Sequence, residues 1–359
     1  MCTVFGIGAG AGGILKFPSK YAVATLSGLP WLLNWLNRNK LLVLAYHGIY
    51  EGPKYPGAMP DTFVHVSDME DQLKAIKDKY RIIEPEQLFD SIETGKRLPP
   101  HSALITFDDG YESFFRLAFP VLKSLGIKPI VFVATEYVEN QRPFYYDLAW
   151  VFVHKCAQAK VKSSIAAFGI SEDEIEAKGP LKTILVKMKK MRPEPRNELA
   201  REMESVVRSD LSDAKTILDL FRAMNREQLK EVAAQGVQLG GHTHTHTILI
   251  NLSEVEVMKE IAENKRITEE IQDKPCRSFA YPNGGRRDYS NEHKRTLAET
   301  GFKTAFSLTQ QRSLVHTDPL GVSRINVATE DNVESLMVRC TGIAPLADRI
   351  QDMLKINSR

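Results

Sequence analysis

Short apolar runs and stretches of helical periodicity alternate along the first part of the chain. The apolar runs do not alternate with polar positions, which predicts strands buried on both faces. Gly95 and Gly126 stand where two of the intervening helices should end. The predicted elements, in order, are strand Leu41–Tyr46, helix Val66–Lys79, strand Arg81–Ile83, helix Pro85–Thr94, strand Ser102–Phe107, helix Tyr111–Leu125 and strand Pro129–Ala134.

Charged helical segments interrupt this alternation between residues 140 and 231, after which it resumes. Fully apolar strands joined by helices indicate a parallel α/β sheet or barrel, here divided by a mainly helical insertion. The later elements are strand Val237–Leu239, helix Val255–Ile271, strand Ser278–Ala280, helix Asn291–Thr300, strand Thr304–Ser307 and strand Ser323–Val327. The predicted division is an apolar N-terminal segment (1–40), a first barrel part (41–139), the insertion (140–231), a second barrel part (232–330) and a C-terminal helix and tail (331–359).

Chain length, charge balance and cysteine spacing exclude some classes of protein. The chain has 359 residues, long enough for a large core, and its 47 Lys and Arg nearly balance its 45 Asp and Glu. We therefore expect no nucleic-acid partner, which would favour a clustered basic excess. The four cysteines are scattered without a C-x-x-C pair, which argues against a disulfide framework and is typical of a reducing compartment.

The N-terminal segment indicates where in the cell the protein is expected. The apolar run Val4–Leu15 has no Lys or Arg before it, so it makes a poor export signal and a cytoplasmic protein is expected. Residues 21–36 are aromatic and apolar but too short and broken for a confident membrane span. They form either a helix packed on the protein or an interfacial helix in peripheral contact with the inner face of the membrane.

Two carboxylates, Asp108 and Asp109, directly follow the predicted strand Ser102–Phe107. Functional groups gather at the carboxyl ends of strands in parallel α/β folds. Adjacent carboxylates there are costly unless a cation or a basic group offsets them. Because neighbouring residues at a strand end point in different directions, one carboxylate can bind a metal while the other acts as a base.

Three histidines, His242, His244 and His246, follow the strand Val237–Leu239. In an extended strand all three would point to one face, whereas in a turn His242 and His246 can converge while His244 points away. Imidazole is a common ligand of zinc and similar ions, and two His with one Asp would leave coordination positions open for catalysis. Both geometries remain open on the residues alone.

A third strand end carries Y-P-N-G-G at residues 281–285, whose Pro and two Gly allow a tight turn with backbone N–H groups facing a ligand. Together, T-F-D-D-G (106–110), H-T-x-T-H (242–246) and F-x-Y-P-x-G (279–284) closely resemble the polysaccharide deacetylase family. This is carbohydrate esterase family four, with its NodB homology domain. The resemblance spans Leu41–Ala134 and Val237–Val327, and it implies a distorted (β/α)7 barrel with a metal-dependent N- or O-deacetylase site.

The resemblance also implies roles for individual residues. Asp109, His242 and His246 would bind a divalent metal, Zn²⁺ above all, with Co²⁺, Ni²⁺ or Mn²⁺ as alternatives. Asp108 would be the base that activates a metal-bound water. The backbone N–H of Asn283 would stabilise the oxyanion. His244 would then be a bystander or lie behind the ligands.

Two departures from the family pattern concern the residues around the base and the acid. Many members carry an Arg in the third motif that orients the base, but Ala280 occupies that position, and Arg277 is the nearby candidate substitute. The late L-x-x-H motif that supplies the general acid is also missing. His316 resembles only part of it, so we expect His47, after the first strand, to be the better candidate acid.

The expected function is hydrolysis of the N-acetyl group of an amino sugar in a surface polysaccharide or its precursor. The alternatives are an O-acetyl esterase or deformylase on the same scaffold, or a catalytically inactive carbohydrate-binding barrel. Aromatic side chains stack on pyranose faces, so four tyrosines are candidate substrate-binding residues. They are Tyr111, Tyr145, Tyr146 and Tyr281.

Overall fold

A ring of parallel strands forms the centre of the molecule. The computed structural model describes residues 28–343 apart from 55, 56, 58 and 168, so the run Val4–Leu15 and residues 21–27 lie outside it. The strands are β1 (Leu42–Tyr46), β2 (Ile49–Tyr50), β3 (Val64–His65), β4 (Arg81–Ile82), β5 (Ser102–Phe107), β6 (Ile130–Val133), β7 (Gln238–Gly241), β8 (Ser278–Ala280), β9 (Thr304–Ser307), β10 (Val322–Ser323) and β11 (Ile325–Asn326).

The order around the ring is β1-β5-β6-β7-β8-β9-β10, and β11 returns to β1. The two closing pieces belong to one run that Arg324 interrupts, so that β10 pairs with β9 while β11 pairs with β1. Counted as one strand, they bring the ring to seven, with β4 added beside β5. The predicted (β/α)7 barrel is therefore confirmed, and the predicted strand Ser323–Val327 is its interrupted closing strand.

Helices surround the barrel and form the insertion. Several predicted boundaries are matched, and Gly95 and Gly126 end their helices in the left-handed conformation, with φ of 72° and 69°. The helices are α1 (Leu29–Leu36), α2 (Val66–Lys79), α3 (Pro85–Thr94), α4 (Phe119–Leu125), α5 (Thr135–Asn140), α6 (Tyr145–Lys155), α7 (Gln158–Ala167), α8 (Glu172–Lys178), α9 (Pro180–Lys190), α10 (Pro193–Asp210), α11 (Ala214–Asp219), α12 (Arg226–Ala234), α13 (Glu254–Gln272), α14 (Asn291–Glu299) and α15 (Val333–Cys340).

The predicted helix Tyr111–Leu125 begins differently. Its first part, Phe114–Ala118, is a π-helical turn that runs directly into α4. Pro120 lies at the start of α4 and has no N–H to donate to the carbonyl of Arg116, so regular α-helical hydrogen bonding cannot pass through this point.

The insertion shares its hydrophobic core with the barrel. Helix α6 buries eight of its eleven residues because it lies between the barrel and the outer helices α9 and α10. One continuous cluster contains Leu44 of β1, Phe152 of α6 and Met203 of α10. The insertion is therefore packed onto the barrel rather than hanging from it, which places its inner face beside the strand ends.

Helix α1 precedes β1 and exposes much of its apolar surface. Trp31 is 74% exposed, and Leu32, Trp35 and Leu36 are exposed as well. Asn34 fastens the helix, because its Oδ1 accepts hydrogen bonds from Tyr80 Oη and Arg312 Nη1. No helix in the described part of the chain is long and apolar enough to cross a membrane.

Candidate active site

The two carboxylates that follow β5 point to different partners. Asp109 has a φ of 70° and Gly110 repeats it, so the chain turns sharply as it leaves the strand. A Cβ on Gly110 would lie 2.8 Å from Val133 Cγ1, so glycine allows this close approach. The turn directs the side chain of Asp108 to the closing strand and that of Asp109 to the histidines.

Asp108 is held by Arg324, the residue that interrupts the closing strand. Arg324 is fully buried and donates two hydrogen bonds to Asp108, Nη1 to Oδ1 at 2.5 Å and Nη2 to Oδ2 at 2.8 Å. Burial alone would raise the pKa of Asp108, but the guanidinium and the nearby imidazoles bring it below its ordinary value. Asp108 is thus an ionised, fixed carboxylate, ready to accept a proton.

Sequence reasoning missed Arg324, and its candidate Arg277 is wrong. Arg277 pairs with Glu86 of α3 and lies over the ring of Phe89, away from Asp108. The arginine that many family members carry at the position of Ala280 in β8 is therefore replaced by an arginine on the closing strand. In the ring, β9 lies between these two strands. No local signal in the sequence distinguishes Arg324 from Arg277.

The histidine run leaves β7 in a turn, as one of the two predicted geometries required. Thr243 and His246 adopt left-handed conformations with φ of 57° and 54°. His244 turns away, and its Nδ1 lies 2.9 Å from Thr135 Oγ1. The turn brings His242 and His246 together, with ring centroids 4.8 Å apart.

Helix α13 holds this turn in place through two side chains that the sequence did not single out. Asn264, fully buried, accepts a hydrogen bond from the backbone N–H of His242 and donates to the carbonyls of Val133 and Thr243. Glu260 accepts hydrogen bonds from the backbone and hydroxyl of Thr245. The geometry of the histidines is therefore built into the packing of α13 on β7.

Asp109, His242 and His246 form a cluster whose ligand atoms all lie within 4.8 Å of one another. The Nε2 atoms of His242 and His246 are 3.4 and 3.2 Å from Asp109 Oδ1, a buried atom without a hydrogen-bond partner among the described residues. Nδ1 of His242 donates to the carbonyl of Ala280 at 2.7 Å, which leaves its Nε2 lone pair for a metal. Three converging acceptors of this type fit a divalent cation.

The protonation states of His246 and Asp109 agree with that fit. Burial would lower the pKa of His242, but its contact with Asp109 and the charge of Asp108 raise it, so a metal would bind there in place of a proton. Burial lowers the pKa of His246 to about 4, which keeps the ring neutral. Burial would raise the pKa of Asp109, but the two imidazoles hold it well below its ordinary value. A neutral imidazole beside an ionised carboxylate is the form in which both bind metals.

The remaining predicted catalytic residues border the same cavity. His47 Nε2 is 3.7 Å from Asp108 Oδ2, and its Nδ1 is buried without a partner among the described residues. Asn283 has a φ of 63° in the turn after β8, and its Oδ1 accepts a hydrogen bond from Lys189 Nζ at 2.7 Å. His316 lies outside the cavity, 3.3 Å from Ser91 Oγ of α3, so it is not placed to act as the acid.

A cavity of about 580 Å³ lies above the metal-ligand cluster, and helices of the insertion form part of its wall. Tyr145 and Tyr146 line it as predicted, with the Tyr146 ring 5.2 Å from that of His246. Two other tyrosine predictions are wrong. Tyr111 is buried and donates its hydroxyl hydrogen to Asp147, while Tyr281 stacks on Tyr289 and donates to the carbonyl of Leu320, so neither face is open to a sugar.

A family model described as polysaccharide deacetylase matches residues 95–305 of the chain, more than half of its length. The chain belongs to the polysaccharide deacetylase family. A curated relative, the putative polysaccharide deacetylase YxkH of Bacillus subtilis (strain 168), is 30% identical over 122 residues. That match covers 33% of this chain and 41% of the relative, so it spans less than half of the relative's length.

Solved structures of polysaccharide deacetylases share the barrel. The Streptococcus pyogenes deacetylase PplD, in complex with acetate, superposes with a TM-score of 0.55 at 17% identity, over 83% of this chain and 96% of that one. IcaB from Ammonifex degensii gives a TM-score of 0.52 at 19% identity, over 85% and 98%. At such identities the likeness establishes the fold. Members of the polysaccharide deacetylase family are generally metal-dependent, and the Asp109–His242–His246 cluster is the candidate metal site of this member.

Proposed function

We propose that this protein is a metal-dependent deacetylase that hydrolyses the N-acetyl group of an amino sugar in a surface polysaccharide or its precursor. One observation carries the proposal. An Asp-His-His cluster that fits a metal lies beside Asp108, an ionised carboxylate fixed by the buried Arg324, at the floor of a cavity with aromatic walls.

We propose Zn²⁺ as the metal, held by Asp109, His242 and His246. Two imidazoles and one carboxylate suit zinc and leave positions open, although Co²⁺, Ni²⁺ and Mn²⁺ accept the same donors. When bound, such an ion polarises a carbonyl and lowers the pKa of water.

The residues of the chain then divide the chemistry. Asp108 accepts a proton from the attacking water, whose oxygen bonds to the acetyl carbon. The backbone N–H of Asn283 donates to the oxygen of the acetyl group as negative charge develops there. His47 donates a proton to the nitrogen as the C–N bond breaks, so that the products are acetate and the free amine.

O-acetyl ester hydrolysis and deformylation remain the alternatives on the same scaffold. An ester leaves as an alkoxide, which needs less assistance from an acid than an amine does. A carbohydrate-binding barrel without activity is disfavoured, since Asp108 and the three candidate ligands are all present and assembled.

The test is acetate release by the metal-loaded protein from a panel of substrates: N-acetylhexosamines as nucleotide sugars, lipid-linked sugars and polymers, beside O-acetyl sugars. We expect release from the N-acetyl compounds, and a loss of at least about 10³-fold in kcat for Asp108→Asn with metal content unchanged. Release from the O-acetyl sugars alone would favour the esterase. Full activity of Asp108→Asn would refute Asp108 as the base.

The cytoplasmic location stays a prediction. We further propose peripheral membrane contact through the region 21–36, supported by the exposed Trp31, Leu32, Trp35 and Leu36 of α1. Aromatic residues of this kind favour the interface between water and lipid. Sedimentation with vesicles that contain anionic lipid tests the contact, and loss of sedimentation in a Trp31→Ala, Trp35→Ala double variant is expected.

A further inference from the structure

Two helices of the insertion each present one stripe of side chains to the cavity. Helix α6 contributes residues four apart, and so does α9, a spacing that places them on one face of each helix. The α6 stripe is Tyr146, Trp150 and His154, and the α9 stripe is Leu181, Leu185 and Lys189.

The inner end of each stripe is fixed by a contact with the candidate active site. Tyr146 packs against His246, and Lys189 donates a hydrogen bond to Asn283. Each stripe spans eight residues, so its far end lies about 12 Å along the helix from its near end. The cavity therefore extends beyond the metal-ligand cluster by roughly two helical turns.

On the two helices, the outer part of this wall is apolar, formed by Trp150, Leu181 and Leu185. The segment before β3 lines the cavity with the apolar Met59 and Pro60 and the polar Asp61 and Thr62. The polar residue at the end of the α6 stripe, His154, is stacked on Trp150 and has its Nδ1 3.0 Å from the Trp150 carbonyl. A second sugar would find an aromatic face there but few hydrogen-bond partners on either helix.

The wall is preformed because the insertion is fastened to the barrel. Arg196 of α10, 1% exposed, donates to the carbonyl of Thr245 and the hydroxyl of Thr247, in the turn that carries the histidines. Its guanidinium carbon lies 4.7 Å from the centre of the Tyr145 ring. A preformed apolar pocket binds without the cost of ordering its walls.

We infer that the outer half of this cavity binds an apolar chain attached to the N-acyl amino sugar. The inference rests on the proposed function for the sugar end, and it assigns the substrate class: an amphipathic conjugate rather than an internal unit of a bare polymer. The chain can belong to an aglycone or to a longer acyl group, since both present the same methylene surface to Trp150, Leu181 and Leu185.

Binding can be followed by tryptophan fluorescence, independently of acetate release, because Trp150 lies in this wall. The chain has three tryptophans, so a Trp31→Phe, Trp35→Phe background leaves Trp150 as the single reporter. This protein is titrated with methyl, butyl, hexyl and octyl glycosides of N-acetylglucosamine, followed by Trp150 emission. A second arm uses methyl glycosides with N-butanoyl and N-hexanoyl groups, which distinguishes an aglycone from an acyl chain.

We expect affinity to rise up to about fourfold for each methylene that enters the cavity, until it is full. The variants Leu181→Asn and Leu185→Asn should flatten this dependence and leave the affinity for the methyl glycoside within about twofold. Leu220→Asn, on an exposed leucine just after α11 and outside the cavity, is the matched control and should keep the slope. Thermal unfolding of each variant confirms that it is folded.

Equal affinity for all chain lengths in both arms, with acetate still released, would overturn the inference and leave the proposed function intact. The inference also fails if Leu220→Asn flattens the slope as strongly as the cavity variants do. A chain-length dependence in Trp150 emission without acetate release from any compound would instead reject the deacetylase and keep the apolar subsite.

Discussion

The strand ends of the barrel and the insertion contribute different chemistry to one cavity. The barrel supplies the groups that ionise or bind metals, with Asp108, Asp109 and His242 each placed by a turn directly after its strand. The insertion supplies rings and aliphatic chains such as Trp150 and Leu185. The candidate catalytic groups and much of the cavity wall thus come from separate stretches of the chain.

The two regions also differ in how their residues are tied together. The barrel groups depend on contacts between neighbouring strands and on α13, as Asn264 illustrates. The insertion is held by the hydrophobic core that it shares with the barrel and by polar contacts such as those of Arg196 with the histidine turn. Damage to the barrel should therefore remove metal or activity outright, whereas damage to the insertion should alter stability and selectivity.

The largest effect is expected for the metal ligands. His246→Ala and His242→Ala each remove one of three ligands, so metal content after dialysis should fall to near zero and activity with it. His244→Ala is the matched control, because His244 belongs to the same run but is directed to Thr135. Elemental analysis and acetate release measure both properties.

A reversal of that pattern would contradict the site. Loss of metal from His244→Ala together with its retention in His246→Ala would mean that the histidine run binds the ion in the extended geometry. The turn held by Asn264 and Glu260 would then not be the feature that selects the ligands.

Arg324 should have the next largest effect. Arg324→Met leaves Asp108 buried without its cation, so we expect a fall in kcat of about 10²-fold or more and a loss of stability of roughly 3–5 kcal/mol. Since Arg324 lowers the pKa of Asp108, its removal should move the acidic limb of the pH–rate profile to higher pH. Arg277→Met is the control, as Arg277 pairs with Glu86 away from the site.

An unchanged acidic limb in a folded Arg324→Met protein would separate that limb from Asp108. Comparable losses in Arg277→Met and Arg324→Met would show that the position on the closing strand carries no special role. Urea unfolding at neutral pH and full pH–rate profiles distinguish these cases.

These two arginines also mark how far the sequence could be interpreted. The barrel, the strand ends and the residues Asp108, Asp109, His242 and His246 follow from local patterns and short motifs, in which neighbours in sequence are neighbours in the site. Arg324 pairs with a residue 216 positions away, and nothing local distinguishes it from Arg277. Which arginine pairs with Asp108 depends on which strand closes the barrel, and that depends on the packing of the whole ring.

The same dependence on long-range packing explains why two of the four tyrosine predictions are wrong. Tyr145 and Tyr146 open onto the cavity, but the motif residue Tyr111 is turned into the core by its hydrogen bond with Asp147. The sequence alone does not distinguish a tyrosine whose ring faces the cavity from one whose ring is turned into the core. The orientation of Tyr111 is set by its hydrogen bond to Asp147 of the insertion helix α6, and the sequence predicts the insertion as mainly helical without showing how it packs on this tyrosine.

Arg196 tests the insertion directly, with a smaller expected effect. Arg196→Met removes two hydrogen bonds from a buried cation while preserving apolar packing on Tyr145, so we expect a loss of about 1.5–3 kcal/mol in unfolding free energy. Metal content should remain, because the ligands and α13 are untouched. Denaturant unfolding and elemental analysis measure the two properties. Loss of metal in a folded Arg196→Met protein would show that the barrel does not hold its site without the insertion.

The smallest effect concerns Asp147, at the junction of the two regions. Burial first of all, and the charge of Asp109 after it, raise the pKa of Asp147 well above its ordinary value, although the Tyr111 hydroxyl opposes the shift. The folded state therefore binds more protons than the unfolded state above about pH 4, so Asp147 lowers stability as pH rises toward its folded pKa. In Asp147→Asn the Tyr111 hydrogen bond can persist but no charge forms.

We accordingly expect Asp147→Asn to gain stability relative to the natural chain as pH is raised from about 5 to about 8, measured from urea midpoints at each pH. Asp219→Asn, an exposed carboxylate of α11 paired with Lys215, should give a difference that does not change over this range. Parallel pH profiles for Asp147→Asn and the natural chain would mean that Asp147 is ionised at no cost in the fold. The insertion would then place an ionised carboxylate beside the metal-ligand cluster, in addition to the amino group that Lys189 already directs to Asn283.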